Sequence, residues 1–129
     1  MVFGWGDSED AHRQVYGGKE HEAKFSHELL AGAASFEAMK LFEDHQRKEG
    51  KSVNHAFAKE MIAGLVGSQI DRLAETKGMD EIDKIKAKKH AQDNAHRMYE
   101  EHYEQGLGAP EYDPNRYQPH HSYRREGYY

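Results

Sequence analysis

An internal repeat constrains the fold of this chain more than any other feature. The segment FSHELLAG at residues 25–32 returns as FAKEMIAG at residues 57–64, at an offset of 32 residues, and a weaker match continues as far as Glu43 and Glu75. Self-similarity at a fixed offset indicates one structural unit used twice. We therefore expect two successive helices of the same design, folded against each other as an antiparallel hairpin with pseudo-symmetry.

The distribution of proline favours an all-α fold. All three prolines lie between residues 110 and 119, and the chain before them is rich in good helix formers. No run of alternating β-branched residues suggests a strand. We predict a helical bundle made of the duplicated hairpin, a third long helix and a short N-terminal helix. This helical domain spans residues 1–106, and a flexible, disordered tail rich in Tyr, Pro, His and Arg spans residues 107–129.

Capping residues and glycines set the expected bounds of the helices. The short N-terminal helix is expected to run from Asp7 or Ser8 to Tyr16, and the first long helix from Lys19 to Lys48, with a stop at Gly50. The second long helix is expected from Ser52 to Gly78, and the third from Asp80 to about Gln105, with a stop at Gly106.

Each repeated helix carries apolar residues on two sides. One side combines large apolar residues with small ones: Phe25, Leu29, Gly32, Phe36 and Met39 in the first helix, and Phe57, Met61, Gly64 and Ser68 in the second. The other side holds Leu30, Ala34, Ala38 and Leu41, then Ile62, Val66, Ile70 and Leu73. A surface helix normally has one apolar stripe, so two stripes indicate burial on two sides. We assign the first set, together with Leu73, to the core or to a self-association face.

The third helix contributes apolar residues to this core but is too polar at residues 84–89 to cover everything. We therefore expect a homo-oligomer, with a dimer favoured, in which the mid-helix glycines allow close approach of two backbones. The alternative is a three-helix monomer whose glycines only accommodate bulky neighbours. A protein partner of unknown identity is also open.

Composition argues against several functional classes. The net charge is −5 and no basic stripe crosses residues 1–110, so nucleic acid is not an expected partner. There is no cysteine, which excludes disulfides and thiolate metal sites. The N-terminus lacks the pattern of a signal peptide, and the apolar stretches are too short for a bilayer. We expect a cytoplasmic protein without membrane contact.

Ten histidines raise the question of a metal site. Imidazole is a common ligand for zinc, copper and iron, and helical ligands recur at spacings of three or four residues. The candidate ligands are His27, His55, His90, Asp93 and His96. Their spacing is not diagnostic, and no nucleophile elbow, phosphate loop or paired acid and base stands out. We expect no catalytic residue, no enzymatic activity and no cofactor.

The two ends of the chain are aromatic. We expect Phe3 and Trp5 to fasten the first helix to the bundle rather than to form a ligand box. The tail mixes Tyr with Arg and His, a composition that can stack on partners, although disorder is the more common outcome.

The sequence also resembles the fungal CipC family, named for concanamycin-induced protein C. The resemblance is carried by KFSHELLAGAASFEAMK at residues 24–40 and EDHQRKEG at residues 43–50, extended by HAFAKE at 55–60 and LAETKG at 73–78. It covers about residues 1–104 and leaves the tail outside. It implies a small cytosolic protein associated with antibiotic and stress responses in fungi, and it brings no catalytic residue with it.

The leading hypothesis is a non-enzymatic protein of this type that acts by self-association or partner binding. The alternative is a helical bundle that binds a metal or a small molecule through its histidines.

Overall fold

The protein is an α-helical bundle, as the sequence predicts. A computed structural model describes residues 5–16 and 26–125. Over these residues the helices are α1 (Trp5–Tyr16), α2 (His27–Glu49), α3 (His55–Lys77), α4 (Glu81–Tyr99), a π-helical continuation of α4 (Glu100–Gly106) and the short α5 (His121–Arg125). The described residues form no β-strand, and one isolated antiparallel bridge joins Val53 to Tyr112. No helix in this part of the chain is long and apolar enough to cross a membrane.

Two of the long helices end at glycines, and a third begins after an aspartate, at the positions that the sequence indicates. Gly50 and Gly78 follow α2 and α3 with left-handed φ angles of 70° and 74°, which glycine adopts without steric cost. Asp80 caps α4, because its carboxylate accepts a hydrogen bond from the Asp83 N–H. The helical path also ends at Gly106, as predicted.

Three helix starts differ from the prediction. Helix α1 begins at Trp5, ahead of Asp7 and Ser8. Helix α2 is capped by Ser26 in an extended conformation, so it begins later than Lys19, a residue outside the described ranges. Asn54 rather than Ser52 caps α3, because Val53 is held extended by two backbone hydrogen bonds with Tyr112.

Helix α2 lies at the centre of the bundle. It packs against α1, α3 and α4, and α3 and α4 pack against each other. The short connection at residues 50–54 makes α2 and α3 an antiparallel hairpin, as the repeat predicts. Both apolar sides of α2 are buried within the chain, whereas α3 buries one side and leaves much of the other exposed.

The described part of the tail differs from the expectation of a flexible segment. Residues 107–125, which we call the strap, fold back over the bundle. Tyr112 and Tyr123 are completely buried, and the Tyr123 hydroxyl donates a 2.7 Å hydrogen bond to the Phe36 carbonyl. Aromatic rings bury a large area and offer a polar end for a specific bond, which is enough to order a segment without regular structure.

Trp5 fastens α1 to the bundle, as the sequence suggests. Its side chain is 8% exposed, and its indole N–H donates a 3.0 Å hydrogen bond to the Met98 carbonyl of α4. Phe3, the other aromatic residue expected in this role, lies outside the described residues.

Candidate functional site

A buried carboxylate, Glu43, lies where α2, the π-helical segment and the strap meet. Its side chain is 0% exposed. One carboxylate oxygen accepts hydrogen bonds from the Tyr112 hydroxyl (2.8 Å) and from Arg47 Nε (2.8 Å). The other oxygen accepts a short hydrogen bond from the Tyr103 hydroxyl. The ionised group is therefore surrounded by the donors that a buried charge requires.

Arg47 extends this network into the strap. Its guanidinium donates to the Tyr103 hydroxyl (3.0 Å) and to the backbone carbonyls of Pro114 (3.0 Å) and Tyr117 (2.9 Å). It also lies 5.8 Å from the centre of the Tyr112 ring. The planar fork of arginine holds several acceptors in fixed directions, so one side chain of α2 fixes two carbonyls of the strap.

Burial and the neighbouring charges shift the pKa values of Glu43, Tyr103 and Arg47. Burial raises the pKa of the Glu43 carboxyl, against the opposing influence of Arg47 and the two tyrosines. Burial and the neighbouring Glu43 charge raise the pKa of Tyr103 far above its usual range. Burial opposes the Arg47 charge, but Glu43, Tyr103 and Tyr112 together outweigh burial, so the pKa of Arg47 lies above its ordinary value. Perturbed groups often mark active sites, yet a carboxylate with no exposed surface has no access to a substrate, which favours a structural role.

His55 forms a second link between the bundle and the strap. Its Nδ1 lies 2.7 Å from the Tyr99 hydroxyl, and its Nε2 lies 2.7 Å from the Ala109 carbonyl. Because the carbonyl can only accept, Nε2 carries the proton and Nδ1 accepts from Tyr99 when the ring is neutral. Burial raises the pKa of Tyr99, which keeps its hydroxyl protonated as the donor.

An open cleft of about 300 Å³ lies at the other end of the strap. It is lined by Trp5, Glu101, His102, His120 and His121. The His120 ring stacks on the Trp5 indole with centroids 3.9 Å apart and planes 2° apart. Burial lowers the pKa of His102, and the nearby positive charges act in the same direction.

Of the five candidate metal ligands, three contact different partners and two are exposed. His27 lies 3.3 Å from Asp83, His55 lies in the link to the strap, and His96 lies 3.1 Å from the Lys59 carbonyl. His90 and Asp93 are exposed on α4. Within residues 5–16 and 26–125, no three His, Asp or Glu side chains form a group that could hold a metal ion.

The proposed core and self-association residues separate into two groups. Gly32, Phe36, Met39 and Leu73 are buried and Leu29 is partly buried, so this group lies inside the chain. Phe57 is 49% exposed, Gly64 and Ser68 are exposed, and Met61 is partly buried, so this group forms the uncovered side of α3. Phe25 lies outside the described residues.

Sequence reasoning missed the Glu43 network. Glu43 and Arg47 are separated by four residues, a spacing that is also typical of ion pairs on solvated helix faces. Tyr103 and Tyr112 lie 60 and 69 residues away from Glu43, and Tyr112 belongs to a segment without periodicity. A usable signal is the Tyr99–Tyr103 pair at helical spacing beside a tail that contains further tyrosines.

Comparison with models of known protein families assigns the chain to a family. A family model described as "Virulence factor CipC-like" matches residues 11–102, which is most of the chain and includes Glu43, Arg47 and His55. Tyr103 and the whole strap lie beyond the matched region. Searches of curated proteins and of solved structures found no match.

Proposed function

The chain belongs to the CipC-like virulence-factor family, and from this premise we propose that it is a non-enzymatic stress-response protein that acts by binding a second copy of itself through α3. Family membership supports the setting of stress or virulence. The enclosed state of the Glu43 network supports a role without catalysis. The uncovered side of α3 supports self-association.

The observation that carries this proposal is a row of four exposed residues along α3. Glu60, Gly64, Ser68 and Arg72 follow one another at intervals of four, with opposite charges at the ends and small residues in the middle. Such rows are the ridges through which helices most often pack. Phe57, a large apolar side chain that is 49% exposed, flanks the row.

This row is complementary to itself. If two copies of α3 cross in antiparallel directions near residue 66, Gly64 of each faces Ser68 of the other, and Glu60 of each faces Arg72 of the other. A two-fold axis makes both contacts twice, as in the commonest type of homodimer. The small residues allow close approach of the backbones, and the two ion pairs fix the register.

Gly64 has no evident role within a single chain. A methyl group added at this position would meet no atom within 4 Å, and Gly64 lies in the middle of a long helix. Glycine at such a position costs about 1 kcal/mol relative to alanine. A close contact with a second backbone would offset that cost.

Light scattering and sedimentation over a range of concentrations test the proposal. A contact made by one helix pair is small, so we expect a dimer with a dissociation constant near the micromolar range. Replacing Gly64 by Ala adds a methyl group to the crossing point and should weaken association about tenfold, which corresponds to about 1.4 kcal/mol. The same change should make the isolated monomer more stable by about 0.5–1 kcal/mol.

Two controls sharpen this test. Gly67→Ala adds a methyl group in ordinary contact with the Lys88 side chain, 3.8 Å away, and should stabilise the helix without weakening the dimer. Glu60→Arg and Arg72→Glu should each prevent association, and the double variant should restore it. A wild-type protein that stays monomeric at near-millimolar concentration, or charge variants without effect, would reject the proposal.

A further inference from the structure

We propose that the surface under the strap is a binding site for a segment of another protein, and that the strap occupies this site in the isolated chain. We call this surface the strap site, and it consists of Glu43, Arg47, Val53 and His55. Its ligand is an extended peptide that carries a tyrosine followed by an Asp-Pro turn. The proposal concerns a different surface from the row on α3 and does not depend on the dimer.

The strap site holds the backbone of the strap. Val53 and Tyr112 exchange two backbone hydrogen bonds of 3.0 and 2.9 Å, which is the pairing by which an extended peptide adds to an exposed strand. Arg47 donates to two strap carbonyls, and Nε2 of His55 lies 2.7 Å from a third. Every residue has a backbone carbonyl, so these contacts require a particular path of the chain rather than a particular sequence.

Tyrosine is the side chain that the strap site selects. The Tyr112 hydroxyl donates a 2.8 Å hydrogen bond to the Glu43 carboxylate, and both side chains are fully buried. The Arg47 guanidinium lies 5.8 Å from the centre of the same ring. A site that hydrogen-bonds a ligand hydroxyl rejects the analogue without it, because its buried polar group is then left with a missing partner. We therefore expect a preference for tyrosine over phenylalanine.

A turn after the tyrosine brings two carbonyls to one guanidinium. The Asp113 carbonyl accepts hydrogen bonds from the N–H groups of Arg116 (3.1 Å) and Tyr117 (3.0 Å), and its side chain accepts one from the N–H two residues later (3.0 Å). Pro114 follows Asp113 at the turn position that proline favours. The carbonyls of Pro114 and Tyr117 then both accept from Arg47. A ligand with the sequence Tyr-Asp-Pro has the residues that this geometry requires.

The strap site and the strap belong to different parts of the chain. All four residues of the site lie within residues 11–102, which the family model matches, and the strap lies beyond them. Up to residue 119 the strap contributes no helix, so its release leaves the helices up to Gly106 in place. A site within the family domain that is filled by a segment from outside it is the arrangement expected of a ligand site that the chain itself occupies.

The strap competes with any external ligand for the site. It is attached to the chain that carries the site, so its effective concentration there is high. The apparent affinity of an external ligand is lowered by the fraction of molecules in which the site is open. A change that weakens the docking of the strap should therefore strengthen external binding by the same factor. A ligand that binds elsewhere on the protein would not follow this relation.

Fluorescence anisotropy with a labelled peptide of residues 108–118, the strap peptide, tests the proposal on the full chain. We expect this peptide to bind the variant Tyr112→Phe about tenfold to a hundredfold more tightly than the wild type, because the strap of the variant lacks the hydroxyl that the peptide retains. Tyr117→Phe is the matched control and should bind as the wild type does. Adding Arg47→Lys to Tyr112→Phe should remove most of the gain, because lysine cannot hold two carbonyls in fixed directions.

Circular dichroism and hydrogen exchange of α2 and α3 report whether each chain is folded. A second comparison needs no protein variant. A strap peptide with phenylalanine in place of Tyr112 should bind the wild type about tenfold to a hundredfold more weakly than the unchanged peptide. Equal binding of the two peptides, or a strap peptide that binds folded Tyr112→Phe no more tightly than the wild type, would overturn the proposal.

A third peptide identifies the source of the ligand. It keeps the Tyr-Asp-Pro sequence and has alanine in place of three exposed residues, Glu111, Arg116 and Gln118. Binding to Tyr112→Phe that is less than about tenfold weaker than that of the strap peptide supports recognition of segments from other proteins. A larger loss would show that the site requires the sequence of the strap itself. In that case the strap of a second copy would be the ligand, and the proposal of a different protein would be wrong.

Discussion

Removing one hydroxyl from the Glu43 network tests whether that network anchors the strap. In Tyr112→Phe the ring remains in place, and the 2.8 Å hydrogen bond to the carboxylate is lost. Because both partners are fully buried, no water replaces the donor. Hydrogen bonds to charged groups contribute about 1.5–3 kcal/mol, so we expect a loss of that size in the free energy of unfolding.

The assay is urea and thermal denaturation of the two proteins side by side. For a chain of this length the predicted loss corresponds to a decrease of about 5–15 °C in the midpoint temperature. Amide hydrogen exchange shows which part of the chain is destabilised. Protection from exchange should fall first in the strap around Tyr112 and only then in α2. Exchange that rises uniformly over the bundle would contradict the role of Tyr112 as an anchor of the strap.

Tyr117→Phe is the matched control, since it makes the same chemical change on the same segment. Tyr117 contributes its backbone carbonyl to Arg47, and this carbonyl is unchanged in the variant. We expect an effect within about 0.5 kcal/mol. If Tyr112→Phe and Tyr117→Phe have equal effects, the reasoning about a buried, charged acceptor is refuted.

Three further predictions test other parts of the fold. Asn54→Ala should destabilise the protein by about 1 kcal/mol in urea denaturation, whereas Ser52→Ala should change little, because Asn54 caps α3. Gly50→Ala should cost about 1–2 kcal/mol in the same assay, because φ is 70° there. The hydrogen bond with His12 lowers the pKa of Glu37, so its ionised form stabilises the fold above the ordinary pKa of about 4.5, and this contribution disappears as the pH falls through the lowered value. Glu37→Gln should therefore show a smaller loss of stability than the wild type between neutral pH and pH 3, measured by denaturation at each pH.

Local signals were sufficient to predict the helices. Gly50, Gly78 and Asp80 mark helix ends in the sequence because their effect on the backbone depends on near neighbours alone. The repeat predicted the hairpin for a similar reason, since two copies of one amphipathic pattern present matching faces. The start of α3 was predicted two residues early, because the bridge between Val53 and Tyr112 is a contact between distant parts of the chain.

The candidate site depended on distant contacts and was not predictable in the same way. Glu43 and Arg47 have the spacing of the pair Lys40 and Asp44, which is partly exposed to solvent, and the sequence does not distinguish the two pairs. What separates them is burial, and burial at Glu43 is completed by Tyr112 of the strap. A segment with three prolines and no periodicity gives no indication of where it packs.

The repeat supports the proposal that the uncovered side of α3 binds a second copy of itself rather than an element like α1. At an offset of 32, Phe36 of α2 corresponds to Ser68 of α3. The Phe36 ring requires cover and receives it from Trp5 of α1 and Tyr123 of the strap. A serine requires no such cover, so an element like α1 would gain little by docking on α3. Gly64 nevertheless stands in mid-helix with open space around it, and a fully solvated face would be more stable with alanine there. A flat row of small residues that ends in opposite charges fits an identical row better than it fits a bulky helix, which is why the charge-exchange variants at Glu60 and Arg72 are the decisive experiment for this surface.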